Sequence, residues 1–487
     1  MYPANSCISG GSLESKLTLV QDSGAKFMRV GGTSYDKYLT QESDFVNIAN
    51  TGLVDKLLAQ GFTPIVQLSY YQPQPVTPYP CPAPSIYLDP GARPGDPPSI
   101  TGAATHLVND IVIPLYAKGV TYFSIGNEPN NNVDYGTTNI YTHAQNSAEG
   151  IYDYISAISS AIRALNHPDI KLLGPELSFF DESLIDPLTT TYNILPHIDY
   201  FTFHYYPFGD EGNDADSNFP DATDRNIVNL PRVGAPVVYN RNGDLVNSLE
   251  YKLDRLISRM SGYPNVEIGI TETNLCYENY NDDYDTDGID YTNSAGNLIH
   301  VYGTNSYIAG QFWAEMMAVC MSKGVAIINF WSVIEGGQVP YNTNVGYINS
   351  ANDNLNSTYY HFQMLAKHFS GKFKWGTITA AAGVIPKPRI KAFASDNSTK
   401  INIMIMNQDQ DPNNQIDVRV KLNNSVAVPP GGVCINISDA IGISNATWNT
   451  SMPGQSTLLL RYDRTSGIFT QELKYTSVDN FNNLAPH

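Results

Sequence analysis

The sequence predicts an α/β protein: a (β/α)8 TIM barrel over residues 1–370 followed by an all-β sandwich over residues 371–487. Two textures carry that expectation. Through the first three quarters of the chain, short apolar runs rich in β-branched and aromatic residues alternate with longer segments of helical periodicity. Repeated strand–helix–strand units imply parallel strands joined by crossover helices, and a long series of them implies a barrel. Near residue 370 the helical period gives way to two-residue alternation between Asn, Asp, Pro and Gly turns.

Strands are expected at Lys26–Val30, Pro64–Leu68, Tyr122–Ile125, Lys171–Leu173, Tyr200–Phe203, Val266–Ile270 and Ala326–Phe330. They are short and continuously apolar, as strands buried on both faces of a parallel sheet must be. Between them Val46–Ala59, Ala104–Ala117, Ile140–Leu165, Ser248–Met260 and Ala309–Ser322 repeat apolar residues at helical spacing. Seven strands are one short of a closed barrel. Met1–Ser12 is brief and holds Pro3 and adjacent Gly10 and Gly11, so strand one is expected either compressed there or lost upstream. A last helix, Tyr359–His368, precedes sandwich strands such as Lys400–Met406, Gln415–Leu422 and Thr457–Tyr462. Gln72–Pro98 is dense in proline and reads as an ordered, semi-rigid excursion.

Composition narrows the function. The 47 acidic against 28 basic residues give a formal charge of −19. That excess, with no basic cluster, argues against nucleic acid and against anionic membrane surfaces. No apolar run approaches the eighteen or so residues of a membrane span. Tyr outnumbers Phe 32 to 18, a balance suited to wet binding surfaces. The five cysteines are scattered, without zinc spacing, and read as buried free thiols ahead of a Cys81–Cys276 disulfide. The first twenty residues contain no basic segment followed by an apolar one, so no signal peptide is present as written.

The chemistry is expected at the strand ends. Ser124-Ile125-Gly126-Asn127-Glu128-Pro129-Asn130 puts a carboxylate where a strand leaves the sheet, with an amide before it and a rigid proline after it. Gly269-Ile270-Thr271-Glu272-Thr273-Asn274 does the same 144 residues later. The C-terminal face is where barrel enzymes work. Paired carboxylates there serve retaining glycoside hydrolysis, one protonated to assist the leaving oxygen and one ionised to attack the anomeric carbon. The plainer alternative is that each caps a helix or binds a surface cation. Glu176, after Gly174-Pro175, and Glu335 are further strand-end carboxylates, expected to support the site or bind substrate.

Asn127-Glu128-Pro129 and Thr271-Glu272 resemble the catalytic pattern of the clan A glycoside hydrolases, eight-stranded barrels acting with retention. The resemblance spans about 370 residues by strand order. It implies Glu128 as acid/base, Glu272 as nucleophile and Asn127 as partner of the sugar 2-hydroxyl. Arg29, in Met28-Arg29-Val30-Gly31-Gly32, resembles the arginine that hydrogen-bonds the nucleophile, and would keep Glu272 ionised by opposite charge. His204-Tyr205-Tyr206 resembles a His-x-Tyr whose tyrosine hydroxyl, here Tyr206, holds the nucleophile. Trp331 resembles the aromatic floor beneath the sugar. Arg29 as a structural ion-pair partner and Trp331 as core are the competing readings. The barrel with a trailing sandwich resembles the β-xylosidase, heparanase-like, glucosylceramidase-like and certain endoglucanase families. Arg29–Thr33 and Gly126–Asn130 look most like the heparanase type, whereas the sequence after Glu272 departs from it, and the family stays open.

No cofactor is required by this chemistry. Asp283-x-Asp285-x-Asp287-Gly288 has the oxygen spacing of the first half of a calcium loop, but Ser294 stands where a bidentate glutamate belongs; structural calcium and a solvated acidic loop are both open. The expected partner is a glycan, neutral or weakly charged, and the expected location is secreted, periplasmic or cell-surface, with a cytoplasmic protein as the alternative. Tyr70, Tyr71, Tyr205 and Trp313 are candidates either for stacking on sugars or for core. Endo action is expected from the long loops after the third, sixth and seventh strands, with an exo-acting pocket as the alternative. A non-catalytic carbohydrate-binding protein on the same fold is the second reading. An aldolase or lyase would need a Schiff-base lysine or a metal cluster, and the strand ends carry neither.

Overall fold

The structure, a computed structural model, describes residues 13–31, 53–68, 104–105, 107–131, 147–206, 248–274, 291–292, 298–299, 307–333, 346–348, 354–384, 390–409, 412–423, 427–438, 443 and 446–487. The chain divides into two compact units. The first comprises Met1–Tyr206, Asp254–Thr273 and Gly324–Val333; the second comprises Pro207–Leu253, Asn274–Lys323 and Ile334–His487.

The first unit holds the parallel sheet. Its strands are β1 (Phe27–Val30), β2 (Thr63–Leu68), β3 (Tyr122–Ile125), β4 (Lys171–Leu177), β5 (Tyr200–Tyr205), β6 (Glu267–Thr273) and β9 (Ile327–Phe330). They pair in parallel in that order, and β1 and β9 come back alongside each other. The sheet is therefore a nearly closed, TIM-like barrel of seven strands among the described residues. No strand precedes Phe27 there; helix α1 (Leu13–Asp22) does. At the N-terminal ends, Ile65, Leu173, Tyr200 and Ile327 meet with Phe27 and Tyr122 packed against them. Six strands thus contribute to one interior plug, which leaves the C-terminal ends for polar side chains.

Helices alternate with the strands: α2 (Leu53–Ala59), α3 (Ile113–Ala117), α4 (Ala148–Arg163), α5 (Glu182–Thr189) and α6 (Leu249–Arg259). Helix α4 begins where the Ser147 side chain accepts from the Gly150 amide, a standard N-cap. At its end Arg163 donates to the Ile170 carbonyl at 2.7 Å and to Asp199 at 2.6 Å, which ties the helix to the starts of β4 and β5. The single helix expected over Ala104–Ala117 is instead a π-helical stretch, Leu107–Val112, followed by α3. Pro114 explains the break. It has no N–H to continue an α-ladder and sits where a helix can restart, in the first turn.

Two strands carry register irregularities near their C-terminal ends. Gly174 and Leu177 of β4 oppose Phe201 and Phe203 of β5, three residues against two. Likewise Ile270 and Glu272 of β6 oppose Phe203 and His204, leaving Thr271 as the extra residue. Bulges of this kind re-aim side chains. Here they turn Glu176, Thr271 and Glu272 toward one another.

The second unit contains the short pair β7 (Tyr291–Thr292) and β8 (Leu298–Ile299), helices α7 (Tyr307–Lys323) and α8 (Ser357–His368), and eight sandwich strands. These are β10 (Lys372–Ala380), β11 (Ile390–Asp396), β12 (Lys400–Asn407), β13 (Gln415–Leu422), β14 (Val433–Ile437), β15 (Ala446–Pro453), β16 (Ser456–Asp463) and β17 (Ile468–Thr476), followed by α9 (Ser477–Phe481). The first half of β10 pairs with β11 and the second half, from Gly376, with β14. One strand thereby serves two sheets, as sandwich corners require. Alternate residues of both sheets, such as Ile401, Ile403, Ile405, Val418, Val420 and Leu422, form a common core. Helices α7 and α8 dock on this unit: the Tyr307 hydroxyl donates to the Tyr475 carbonyl at 2.8 Å, and His361 Nε2 meets Thr457 Oγ1 at 2.8 Å. Cys320 and Cys434 are buried free thiols; Cys7, Cys81 and Cys276 lie outside the described residues.

Candidate active site

The C-terminal ends of the barrel strands gather a buried ionic cluster from β1, the turn after β3, β4, β5 and β6. Arg29, on β1, is its main donor. Its guanidinium bonds Glu272 Oε1 through Nη1, and through Nη2 reaches Asn127 Oδ1 at 2.7 Å, Gln67 Oε1 at 3.2 Å and Glu176 Oε2 at 3.2 Å. Gln67 depends on Gly31: a Cβ built there would lie 2.2 Å from Gln67 Oε1. The glycine thus makes room for the amide that braces Arg29.

Glu272 is held at both oxygens. Oε1 takes the Arg29 bond, while Oε2 accepts from the Tyr206 hydroxyl at 2.9 Å and faces His204 Nδ1 at 3.4 Å. Glu128 Oε1 lies 2.7 Å from His204 Nδ1, and its Oε2 accepts from Asn131 Nδ2 at 3.2 Å. One oxygen of Glu128, one of Glu272 and a ring nitrogen of His204 lie within 4.8 Å of one another. Glu128 and Glu272 are 8% and 6% exposed, so both are shielded yet reach the barrel mouth.

Glu176 is fully buried, and so does not meet a substrate as one sequence expectation had it. Its Oε1 accepts from Thr202 Oγ1 at 3.0 Å; its Oε2 accepts from Thr271 Oγ1 at 2.6 Å and faces His204 Nε2 and Arg29. Its backbone carbonyl also takes the Glu128 amide at 2.8 Å. Glu128 and Glu176 both have positive φ, 46° and 57°. Such backbone costs about 1–3 kcal/mol per residue and persists where the surroundings over-determine it. The bonds just described are those surroundings.

The electrostatics follow from this packing. Burial opposes charge on Arg29, Glu128, Glu176 and His204. In Glu176, the Arg29 charge and the hydrogen bond and charge of His204 outweigh burial and hold the carboxyl at about 2. In His204, burial is outweighed by the Glu272 charge and the hydrogen bonds to Glu128 and Glu176, which push the ring up to about 9. In Glu128, burial is outweighed by the His204 hydrogen bond and charge, then by Asn131 and Arg29, and the carboxyl falls below its ordinary range. Arg29 is raised, with Glu176 and Glu272 overcoming burial. His204 is therefore an imidazolium near neutral pH. Glu128, His204 and Glu272 are the one acidic and histidine group among the described residues with metal-holding spacing. Both ring nitrogens of His204 already face carboxylates, so the protein itself meets their charge.

Trp331 follows β9, half-buried, its amide bonded to the Thr273 carbonyl at 2.9 Å. Tyr205 and Trp313 are buried core residues, which settles their two readings against sugar stacking. Tyr70, Tyr71, Glu335, Asp283, Asp285 and Asp287 lie outside the described residues. Sequence reasoning overlooked Gln67, Thr202 and Asn131. A polar residue inside an otherwise apolar buried strand was the available signal for Gln67 and Thr202.

No protein-family profile matches the chain, nor does any curated protein sequence. Solved structures are similar at low identity. A xyloglucanase of glycoside hydrolase family 44 from Paenibacillus polymyxa is 13% identical at TM-score 0.54, covering 90% of this chain and 93% of that one. A family 44 endoglucanase from Clostridium thermocellum is 14% identical at TM-score 0.53, covering 92% and 96%. A family 30 endoxylanase from Clostridium papyrosolvens is 13% identical at TM-score 0.50, covering 92% of each chain. The chain thus shares its fold with these structures.

Proposed function

We propose that the protein is a retaining glycoside hydrolase cleaving a β-linked poly- or oligosaccharide by double displacement, with Glu272 as nucleophile and Glu128 as acid/base. The observation that carries this reading is the approach of two buried strand-end carboxylates to within 4.8 Å, oxygen to oxygen. Carboxyls about 5–5.5 Å apart permit direct attack, whereas an inverting pair stands about 6.5–9.5 Å apart to admit water. The fold, shared with xyloglucan-, glucan- and xylan-cleaving enzymes by their names, supports it.

In the first displacement a Glu272 oxygen bonds to the anomeric carbon as the glycosidic bond breaks, and Glu128 delivers a proton to the leaving oxygen. In the second, water gives a proton to Glu128 while its oxygen bonds to the anomeric carbon and frees Glu272. Arg29 and Tyr206 each hold one Glu272 oxygen, which fixes the direction of attack. Asn127, its amide oxygen accepting from Arg29, is the partner for the sugar 2-hydroxyl, and Trp331 supplies the face beneath the ring. The substrate is a neutral or weakly charged glycan cut internally. A polymer of that kind does not cross a membrane, so the enzyme works as a secreted, periplasmic or cell-surface protein.

The test is product analysis on β-glucans, xylans, galactans and glycosaminoglycans, with the anomer first released read by NMR. Retention is expected, and Glu272→Gln and Glu128→Gln should each lower turnover by several orders of magnitude in folded protein. Inversion, or either variant at near-normal turnover, would falsify the assignment.

A further inference from the structure

The mechanism needs a proton on Glu128, yet the site surrounds that carboxyl with donors. His204 Nδ1 faces Oε1 at 2.7 Å and Asn131 Nδ2 faces Oε2 at 3.2 Å. The proton must come from a neighbour. His204 is fully buried, and its other nitrogen, Nε2, faces Glu176 Oε2 at 3.2 Å. Glu176 already accepts from Thr202 and Thr271 and pairs with Arg29. A carboxyl ringed by donors has no acceptor to which it could give a proton of its own. It therefore accepts, and Nε2 must donate.

We propose that Glu176 is a positioning carboxylate that keeps Nε2 of His204 protonated, so that Nδ1 becomes the atom exchanging a single proton with Glu128. The assignment rests on the glycosidase reading above and extends it with a relay, Glu176–His204–Glu128. The Nδ1–H bond breaks as the Glu128 Oε1–H bond forms, leaving a neutral ring whose Nε2–H stays on Glu176. Glu128 then passes the proton to the leaving oxygen. In the second displacement the proton taken from water returns by the same path to Nδ1, and the cycle closes with no net change. The logic is that of an acid–base histidine whose tautomer is set by a buried carboxylate. The charged groups facing His204 are Glu128 from the turn after β3, Glu176 from β4 and Glu272 from β6, and these carboxylates in turn meet Arg29 from β1 and Tyr206 from the end of β5. All are in the first unit.

Imidazole ¹⁵N NMR on the full chain, with His204 assigned by His204→Asn, reads the proton without turnover. Nε2 should stay protonated from pH 5 to 10 while Nδ1 loses its proton around the raised midpoint of about 9. In Glu176→Gln that midpoint should fall by about 1–3 pH units, because an opposite charge in contact is lost. The same variant should lower kcat/KM, which reports the first displacement, about 100-fold for phenyl glycosides and leave it within a few-fold for dinitrophenyl glycosides, since good leaving groups need no acid. A neutral ring protonated at Nδ1, a midpoint unmoved in Glu176→Gln, or equal slowing of both substrates would overturn the assignment. If the variant loses its near-UV circular dichroism, the wild-type tautomer alone decides. Absence of any wild-type turnover would sink the glycosidase reading, and the tautomer would still decide what Glu176 does.

Discussion

Replacing Arg29 by Met removes the hub's main cation while keeping much of its bulk. Arg29 is 6% exposed and donates to Glu272, Asn127 and Gln67 besides pairing with Glu176. Deleting one partner of a buried ion pair typically costs about 3–5 kcal/mol, because the other charges stay buried and uncompensated. A second route gives a similar size. Glu176 at about 2 against an ordinary 4.5 corresponds to about 3 kcal/mol of stability, shared between Arg29, His204 and Thr271. The sign is set by a depressed acid: this stability is present above pH 4.5 and is lost as pH falls through about 2. The deficit of Arg29→Met should therefore be largest at pH 7 and shrink markedly by pH 3. Urea unfolding followed by far-UV circular dichroism at the two pH values measures it. A deficit under about 1 kcal/mol at pH 7, or an equal one at pH 3, would refute the view that Arg29 holds the carboxylates in place.

Two further outcomes are expected. Gly31→Ala should destabilise the barrel by about 1–3 kcal/mol through overpacking against Gln67 and lower turnover by loosening Arg29, both read by melting temperature and kinetics; combined with Gln67→Ala it should recover only part of the stability, because the new Cβ still lies 2.7 Å from the Cβ of residue 67, and none of the activity. Calcium at 100-fold over its dissociation constant should add about 2.7 kcal/mol if Asp283, Asp285 and Asp287 bind it, so an unchanged melting temperature with calcium and with chelator would leave that loop as solvated acid.

Much of the barrel was legible because short, buried parallel strands and amphipathic helices leave local periods in the chain. Tyr122–Ile125 was read to the residue, and the other strands within a few. The π-helical break before Pro114 was missed although proline marked it. The strands β4, β5 and β6 run past their apolar cores to Leu177, Tyr205 and Thr273, and those polar extensions carry the site. Apolarity could not find them, since there it is interstrand pairing and the buried cluster that hold the backbone extended.

The sequence by itself determined the alternation that makes a barrel, the change of texture that makes a sandwich, and two strand-end glutamates with Arg29 and Tyr206 as candidates beside them. Only the tertiary structure decided what those side chains touch. The bulges in β4 and β6 turn Glu176, Thr271 and Glu272 together, barrel curvature brings Arg29 across to them, and these mutual contacts keep Glu176 a carboxylate and His204 an imidazolium against the cost of burial. Local residue patterns encode period and propensity, but the charge state of a side chain depends on partners up to 243 positions away, which are set by how the strands close.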